Sequence, residues 1–162
     1  MKIKSPIEDL VKTILIPNFK FYREDLAKFD QRMRLYIKSD DNIIELDQTE
    51  EQWTILEFKI KSEGVYNEIS WKREYDNIDE FLSSKLIGNR ITQGELVWDY
   101  YMGVIKNKPD STYKEEPSKY KAILHRNITF NFSDKLCKLR ISGDNPDWIS
   151  ETIAQINEFI GK

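Results

Sequence analysis

The chain has one cysteine, Cys137, and one histidine, His125. A thiolate beside a histidine could act as a nucleophile, but one residue of each type cannot form a zinc site built from Cys and His. Cys137 shares its parity with Leu139 and Ile141 in a predicted strand, so we expect a buried, inert thiol. His125 lies on the opposite parity to Leu124, which predicts a solvent-facing or lightly packed ring, and the sequence names no partner to orient it as a base.

Carboxylates and a lysine occur together between residues 41 and 59. Asp41 and Asp47 precede a strand-like segment that carries Glu57 and Lys59 in a Glu-x-Lys pattern. An acidic residue on one strand followed by Glu-x-Lys on the next, within residues 42–61, resembles the metal-binding core of the PD-(D/E)xK nuclease families. The resemblance implies that Asp47 and Glu57 hold Mg²⁺ through hard carboxylate oxygens and that Lys59 positions the attacking water.

Strand register argues against this metal site. A symmetric hairpin around residues 48–52 separates Asp47 from Glu57 by roughly 13 Å along the strands, too far to share one ion. Asp41 then faces Lys59 directly and Glu57 diagonally, which equally predicts an ordinary cross-strand ion pair. The nuclease is therefore the second hypothesis rather than the first.

A basic segment, Lys106–Arg126, is the candidate for nucleic-acid binding. Its lysines, Lys119 among them, outnumber its carboxylates, and Tyr113 and Tyr120 are interleaved with them. Basic side chains attract phosphate, and tyrosine rings stack on bases. The alternative is an exposed loop that lysine keeps soluble, and the acidic pI of about 5.4 for the whole chain favours that alternative.

Aromatic residues supply the candidates for protein binding. A capping box formed by Thr92 and Glu95 predicts a helix over residues 92–106. Trp98, Tyr100 and Tyr101 cannot all point inward from one such helix, so we expect at least one of them to anchor an interface. The alternative is that layers on both sides of the helix bury all three.

Hydrophobic spacing, capping residues and turn residues predict the remaining helices and strands. A capping box at Ser5 begins a helix that Pro17 ends, and a short helix covers residues 23–31. Alternating patterns predict strands around residues 33–37, 44–47, 56–60 and 69–72, joined as a four-strand meander with turns at residues 39–42, 48–52 and 63–64.

The second half of the chain is predicted to continue with two helices, two strands and a last helix. A helix capped by Asn77 precedes the predicted 92–106 helix. Strands then cover residues 124–132 and 137–141, and Pro146 opens the C-terminal helix, which Gly161 follows. The predicted fold is one α+β domain over residues 1–162, an antiparallel sheet of about six strands with the C-terminal helix on one face.

Composition limits the class of protein. The chain has 162 residues, 40% apolar and 33% charged, with a formal net charge of −3, which is typical of a globular domain. A lone cysteine fits a reducing compartment, and the N-terminus lacks a signal-peptide pattern, so a cytoplasmic location is expected. No apolar run is long enough for a membrane helix. A bias toward Lys, Ile and Asn favours a bacterial or phage origin.

These observations predict a small module, without cofactor or metal, that binds another macromolecule. A protein partner is favoured, in an adaptor, inhibitor or immunity role that rests on analogy alone. A magnesium-dependent nuclease and a small-ligand binder with a pocket between sheet and helices are the alternatives.

Overall fold

The computed structural model describes residues 10–17, 19–39, 50–66, 68–83, 90–91, 93–106, 122–133 and 136–161. Its strands and helices, in chain order, are β1 (Leu10–Pro17), β2 (Phe21–Tyr22), a 3-10 turn (Arg23–Asp25), α1 (Leu26–Lys38), β3 (Glu50–Tyr66), β4 (Ile69–Tyr75), α2 (Ile78–Leu82), β5 (Arg90–Ile91), β6 (Gly94–Lys106), β7 (Ala122–Phe132), β8 (Leu136–Gly143) and α3 (Pro146–Ile160).

Six of the strands form one antiparallel sheet in the order β1-β8-β7-β6-β3-β4. β2 and β5 make a separate two-residue pair. The predicted fold class, an antiparallel sheet of six strands with a C-terminal helix on one face, is confirmed.

The two faces of the sheet differ in burial. Alternate residues of the central strands lie in the core, among them Phe58, Trp98, Ile128 and Ile141. We call this the inner face. Most of the residues between them are half-buried or exposed, although Asn127 and Ser142 are buried, and we call their side the outer face.

Two helices supply most of the packing on the inner face. α1 contacts β6 and β7, and α3 contacts β8 and α1. Asn145 caps α3 by accepting hydrogen bonds from the backbone N–H groups of Asp147 and Trp148, and Pro146 and Gly161 lie at the two ends as predicted. The predicted α2 is also confirmed, with the Asn77 side chain as its cap. None of the helices in the described ranges is long and apolar enough to cross a membrane.

The strand predicted at residues 33–37 is wrong, because this segment belongs to α1. Met33 and Ile37 are buried and Leu35 is exposed, which is helical and not alternating burial. Residues four apart share a face in a helix and in a strand alike, so a five-residue window cannot separate the two. Leu26 and Phe29 extend the hydrophobic pattern at helical spacing and thereby identify the segment as a helix.

The helix predicted for residues 5–15 is also wrong where the structure describes it, because Leu10–Pro17 is an edge strand paired with β8. Residues 1–9 lie outside the described part of the chain, as does the strand predicted at residues 44–47. The turn predicted at Glu63-Gly64 is wrong, because both residues lie within β3, which continues to Tyr66 and pairs with β4 from Ile69 onward.

The helix predicted for residues 92–106 is wrong for the same physical reason as the short strand. The segment forms β6, in which Leu96, Trp98, Tyr100 and Met102 are buried and their neighbours are more exposed. Leu96 and Tyr100 are four residues apart, a spacing that places both side chains on one face in a helix and in a strand. The many aromatic and β-branched residues and the glycine at position 94 favour the strand.

A buried arginine connects the inner face of the sheet to the end of α1. Arg126 on β7 is 1% exposed, and its Nη1 donates to the carbonyl oxygens of Ile37, at 3.0 Å, and Ser39. These carbonyls lie where the helix leaves its own acceptors unpaired and where its dipole attracts a positive charge. The guanidinium therefore compensates the C-terminus of α1 within the core.

Trp148 covers the other side of this arginine. The Arg126 guanidinium carbon lies 4.5 Å from the Trp148 ring centroid, and Trp148 Nε1 donates to the carbonyl oxygen of Tyr36 at 3.0 Å. Gly143 makes room for the ring, since a Cβ there would meet Trp148 carbons at 3.0 Å. Arg126 and Trp148 together join β7, α1 and α3.

Replacing Arg126 with methionine is expected to lower the free energy of unfolding by about 3 kcal/mol, because the carbonyls at the end of α1 would remain buried without their charged donor. Urea unfolding followed by tryptophan fluorescence measures the change. The exposed Arg140 on β8 provides the control, and we expect Arg140→Met to cost less than about 0.5 kcal/mol. Equal stabilities for the two variants would contradict a structural role for the buried guanidinium.

Candidate functional site

The outer face brings together several of the residues that the sequence singled out. Pairing across the sheet aligns its side chains in rows, because directly opposed residues point to the same side. One row contains Glu57, Asp99, Asn127, Ser142 and Val11. The next row toward one end of the strands places Ile55 opposite Tyr101 and Tyr101 opposite His125.

His125 and Tyr101 form a stacked pair at the centre of this face. Their ring centroids are 4.4 Å apart, and the ring planes are nearly parallel. Nε2 of His125 lies 3.0 Å from Oδ1 of Asp99, and both side chains keep about a quarter of their surface in solvent. The predicted parity of His125 is correct, and tertiary structure adds the carboxylate that orients its ring.

A hydrogen-bond network extends from Asp99 along the outer face. Asn127 donates from Nδ2 to Oδ1 of Asp99 at 2.8 Å, and Thr129 donates from Oγ1 to Oδ1 of Asn127 at 2.7 Å. Burial by itself raises the pKa of Asp99, but hydrogen bonds from His125 and Asn127 and the positive charges of His125 and Lys59 outweigh it and leave the pKa below its usual value. Asp99 is therefore a fixed anion at neutral pH.

The chemistry open to this cluster is recognition by a charged and aromatic surface. The imidazole and phenol rings present flat faces and hydrogen-bonding atoms, which suit contact with a partner. Within the described ranges, no group of three or more His, Cys, Asp or Glu side chains could hold a metal ion.

The structure describes two of the four residues of the nuclease hypothesis, Glu57 and Lys59, and both are exposed on β3. Glu57 is exposed on β3, opposite Asp99 of β6. Nζ of Lys59 lies 3.6 Å from Oε1 of Glu74 on β4, as an exposed cross-strand ion pair. Asp41 and Asp47 lie outside the described residues, so the predicted pairing of Asp41 with Lys59 remains a prediction.

The three aromatic binding candidates point in different directions. With residues 94–106 in a strand, Trp98 and Tyr100 fall on the inner face, where they are 0% and 1% exposed. Nε1 of Trp98 donates to Oδ1 of Asp30 on α1 at 2.8 Å, so this ring holds the helix to the sheet. Tyr101 is thus the one of the three that keeps accessible surface.

The basic segment does not form one surface in the part that the structure describes. Arg126, at its C-terminal end, is enclosed in the core. Tyr113, Lys119 and Tyr120 lie outside the described residues, and their predicted contacts with nucleic acid remain a prediction.

Cys137 is 0% exposed, as expected from its parity, and burial raises its pKa to about 12, which keeps the thiol protonated.

A second feature of the outer face lies at its β1 edge. Val11 and Leu15 are exposed there, and Leu136 lies beside them at the end of β8. Arg140 and Lys138 on β8 are exposed opposite Thr13 and Leu15. We call these residues of β1 and β8 the edge patch. The patch is not apparent from the sequence, because the spacing of Leu10, Val11, Ile14 and Leu15 predicts one face of a helix.

Asp99 and the edge patch could be found from sequence only after the correct period is assigned. Once residues 94–106 are taken as a strand, parity places Asp99 and Tyr101 on one side, but pairing with His125 depends on strand order. The same holds for Lys138 and Arg140, which come next to Leu15 and Thr13 through the pairing of β1 with β8.

We expect Asp99→Asn to lower the free energy of unfolding by about 1 kcal/mol at pH 5.5, because charge-assisted hydrogen bonds to the carboxylate are lost. The folded pKa of Asp99 lies below its unfolded value of about 3.9, so the stability from its charge is present above that value and disappears as pH falls through the folded pKa. Urea titrations at pH 5.5 and pH 2.5 measure the difference between the two proteins.

The exposed Asp76 provides the matched control, and Asp76→Asn is expected to change stability by less than about 0.5 kcal/mol at both pH values. A difference between wild type and Asp99→Asn that stayed the same at pH 2.5 would show that shape, and not charge, carries the effect.

Comparisons of the chain with protein-family models, with curated proteins and with solved structures find no match in any of the three. The chemistry and geometry of its own side chains are therefore the basis for a functional proposal.

Proposed function

We propose that this chain is a small non-enzymatic module that binds another protein, and that the partner adds an extended segment to the edge of β1. The observation that supports this proposal is the edge itself. Among the described residues, β1 pairs with β8 on one side and with no strand on the other. Its eight residues provide a length typical of strand pairing.

The main chain of β1 supplies the affinity in this proposal. An edge strand presents backbone N–H and C=O groups that can pair with a strand from another chain. Proteins usually block such an edge with charges, bulges or proline. β1 has one charged side chain, Lys12, and a proline only at its end, Pro17, so most of its length is suited to pairing.

The side chains beside the edge define the chemistry of the partner. Val11 is 51% exposed and Leu15 is 59% exposed, so both can be buried against apolar residues of an added strand. Lys138 and Arg140 lie on the same face as these two residues, whereas Lys12 points to the opposite face. A strand that alternates apolar with acidic residues matches this edge, because its apolar residues would face Val11 and Leu15 while an acidic residue faces Lys12, which would also fix the register.

Substitution at Leu15 tests the proposal directly. We expect Leu15→Glu to reduce capture of the partner from a lysate of the producing cells at least tenfold, because the substitution removes apolar contact with the added strand. Leu35→Glu is the matched control, since Leu35 is 65% exposed on α1, away from the sheet edge. Quantitative affinity capture with both variants and the wild type gives the measurement.

Two further results decide between occupants of the edge. A photo-crosslinking residue at position 15 should form a covalent adduct with the captured protein, and one at position 35 should not. If gel filtration instead shows a dimer that Leu15→Glu dissociates, the edge binds a second copy of this chain and the proposal of a distinct partner is rejected. Equal capture by both variants would reject the edge as the binding surface.

The nuclease hypothesis makes a different prediction from the binding module. Glu57 and Lys59 are exposed on β3, and Lys59 is already paired with Glu74. We expect neither the wild type nor Lys59→Ala to nick supercoiled plasmid in the presence of magnesium, with circular dichroism confirming that both are folded. Nicking by the wild type that Lys59→Ala abolishes would replace the binding module with the nuclease.

A further inference from the structure

A cavity of about 320 Å³ opens on the helical side of the molecule, between the segment before α1, the first turns of α1 and the end of α3. This volume is at the lower limit of the clefts that bind small ligands, which begin at about 300 Å³. The cavity is separate from the edge patch, because its walls come from β2, α1 and α3 and contain no residue of β1 or β8.

Aromatic rings form the inner wall of this cavity. Phe29 is buried in the core, and the rings of Phe19 and Phe159 lie 6.0 and 5.6 Å from it, centroid to centroid. Phe19 and Phe159 are only partly buried, so each keeps ring surface at the opening. A planar ring of a ligand could contact both in the offset or edge-to-face geometry that aromatic pairs prefer.

Positive charge surrounds the opening. Lys20, Lys28 and Arg32 line it against a single carboxylate, Asp25. Lys28 and Arg32 are four residues apart on one side of α1, where like charges repel and destabilise the helix. A bound anion would relieve that repulsion. Arg32 also borders a neighbouring groove that contains Glu158.

Arg32 lies next to the aromatic wall and also contributes to the positive charge at the opening. Its guanidinium carbon lies 5.6 Å from the centroid of the Phe159 ring, within the range of a cation–π contact. The guanidinium thus borders the aromatic wall and adds a positive charge beside it. Arginine can bind a carboxylate through two parallel hydrogen bonds, which would orient such a ligand.

We propose that this cavity binds a small aromatic anion, with the ring against Phe19 and Phe159 and the acidic group between Lys28 and Arg32. The inference is independent of the proposed protein partner. The location differs from the small-ligand alternative of the sequence analysis, a pocket between sheet and helices, because no residue of the six-stranded sheet lines this cavity.

Binding of 1-naphthoate, measured by isothermal titration calorimetry, tests the site. We expect 1-naphthoate to bind saturably and at least tenfold more tightly than 1-naphthalenemethanol, which has the same rings without the charge. The double variant Lys28→Gln/Arg32→Gln should weaken 1-naphthoate binding at least tenfold and change binding of the neutral alcohol less than twofold.

The variant Lys138→Gln/Arg140→Gln is the matched control, because it removes two exposed positive charges from the edge patch. We expect it to bind 1-naphthoate as the wild type does. Near-ultraviolet circular dichroism checks that every variant is folded. Absence of saturable binding, equal affinity for acid and alcohol, or equal losses in the two double variants would each overturn the proposal. None of these outcomes affects the test at Leu15.

Discussion

The contact between Arg126 and the end of α1 is the constraint on which the arrangement of the core depends. A guanidinium cannot lose its charge in a protein, so burying it costs free energy that hydrogen-bond acceptors, negative potential and ring contacts must offset. The carbonyl oxygens of Ile37 and Ser39 supply acceptors, the helix dipole supplies negative potential, and Trp148 covers the planar face. Each compensating group belongs to a different part of the chain from β7, so the arginine requires all of them to be in place.

A second polar contact fixes the position of α1 along the sheet. Trp98 on β6 donates to Asp30, and Asp30 also accepts from Nε of Arg34 one helical turn later. Trp98 and Arg126 lie on neighbouring strands, so α1 is held at its middle and at its C-terminus. Apolar packing alone is non-directional. These hydrogen bonds give the helix one position and one direction across the strands.

Because α1 and α3 pack on the inner face, the polar rows of the central strands lie on the outer face. The central strands have a network of Asp99, His125, Asn127 and Thr129 there, while β1 contributes apolar side chains and an edge. The polar network is internally satisfied and therefore rigid. The edge has backbone groups without a strand partner in the described residues. A rigid centre beside an edge suited to pairing is consistent with a binding module.

The errors of the sequence interpretation share one cause. Met33 and Ile37, like Leu96 and Tyr100, are separated by four residues, a spacing that keeps side chains on one face in a strand and in a helix. In a short window the helical and strand periods predict the same buried residues, so capping residues and local alternation are needed to distinguish a helix from a strand. The capping box pattern of Thr92 and Glu95 also favours a helix, but the described residues 94–106 form a strand.

The sequence by itself determined the helices and strands that have clear capping or terminating residues or a long hydrophobic pattern. Pro146 and Gly161 bounded α3, Asn77 marked the start of α2, and alternation identified β7 and β8. It also determined the parity of Cys137 and His125, because parity follows from the pleat of a strand alone. Strand order, the partners of His125 and Arg126, and the exposure of β1 were decided only in the tertiary structure. These depend on contacts between residues far apart in the chain, and a local pattern has no information about which distant strand satisfies a given donor or charge.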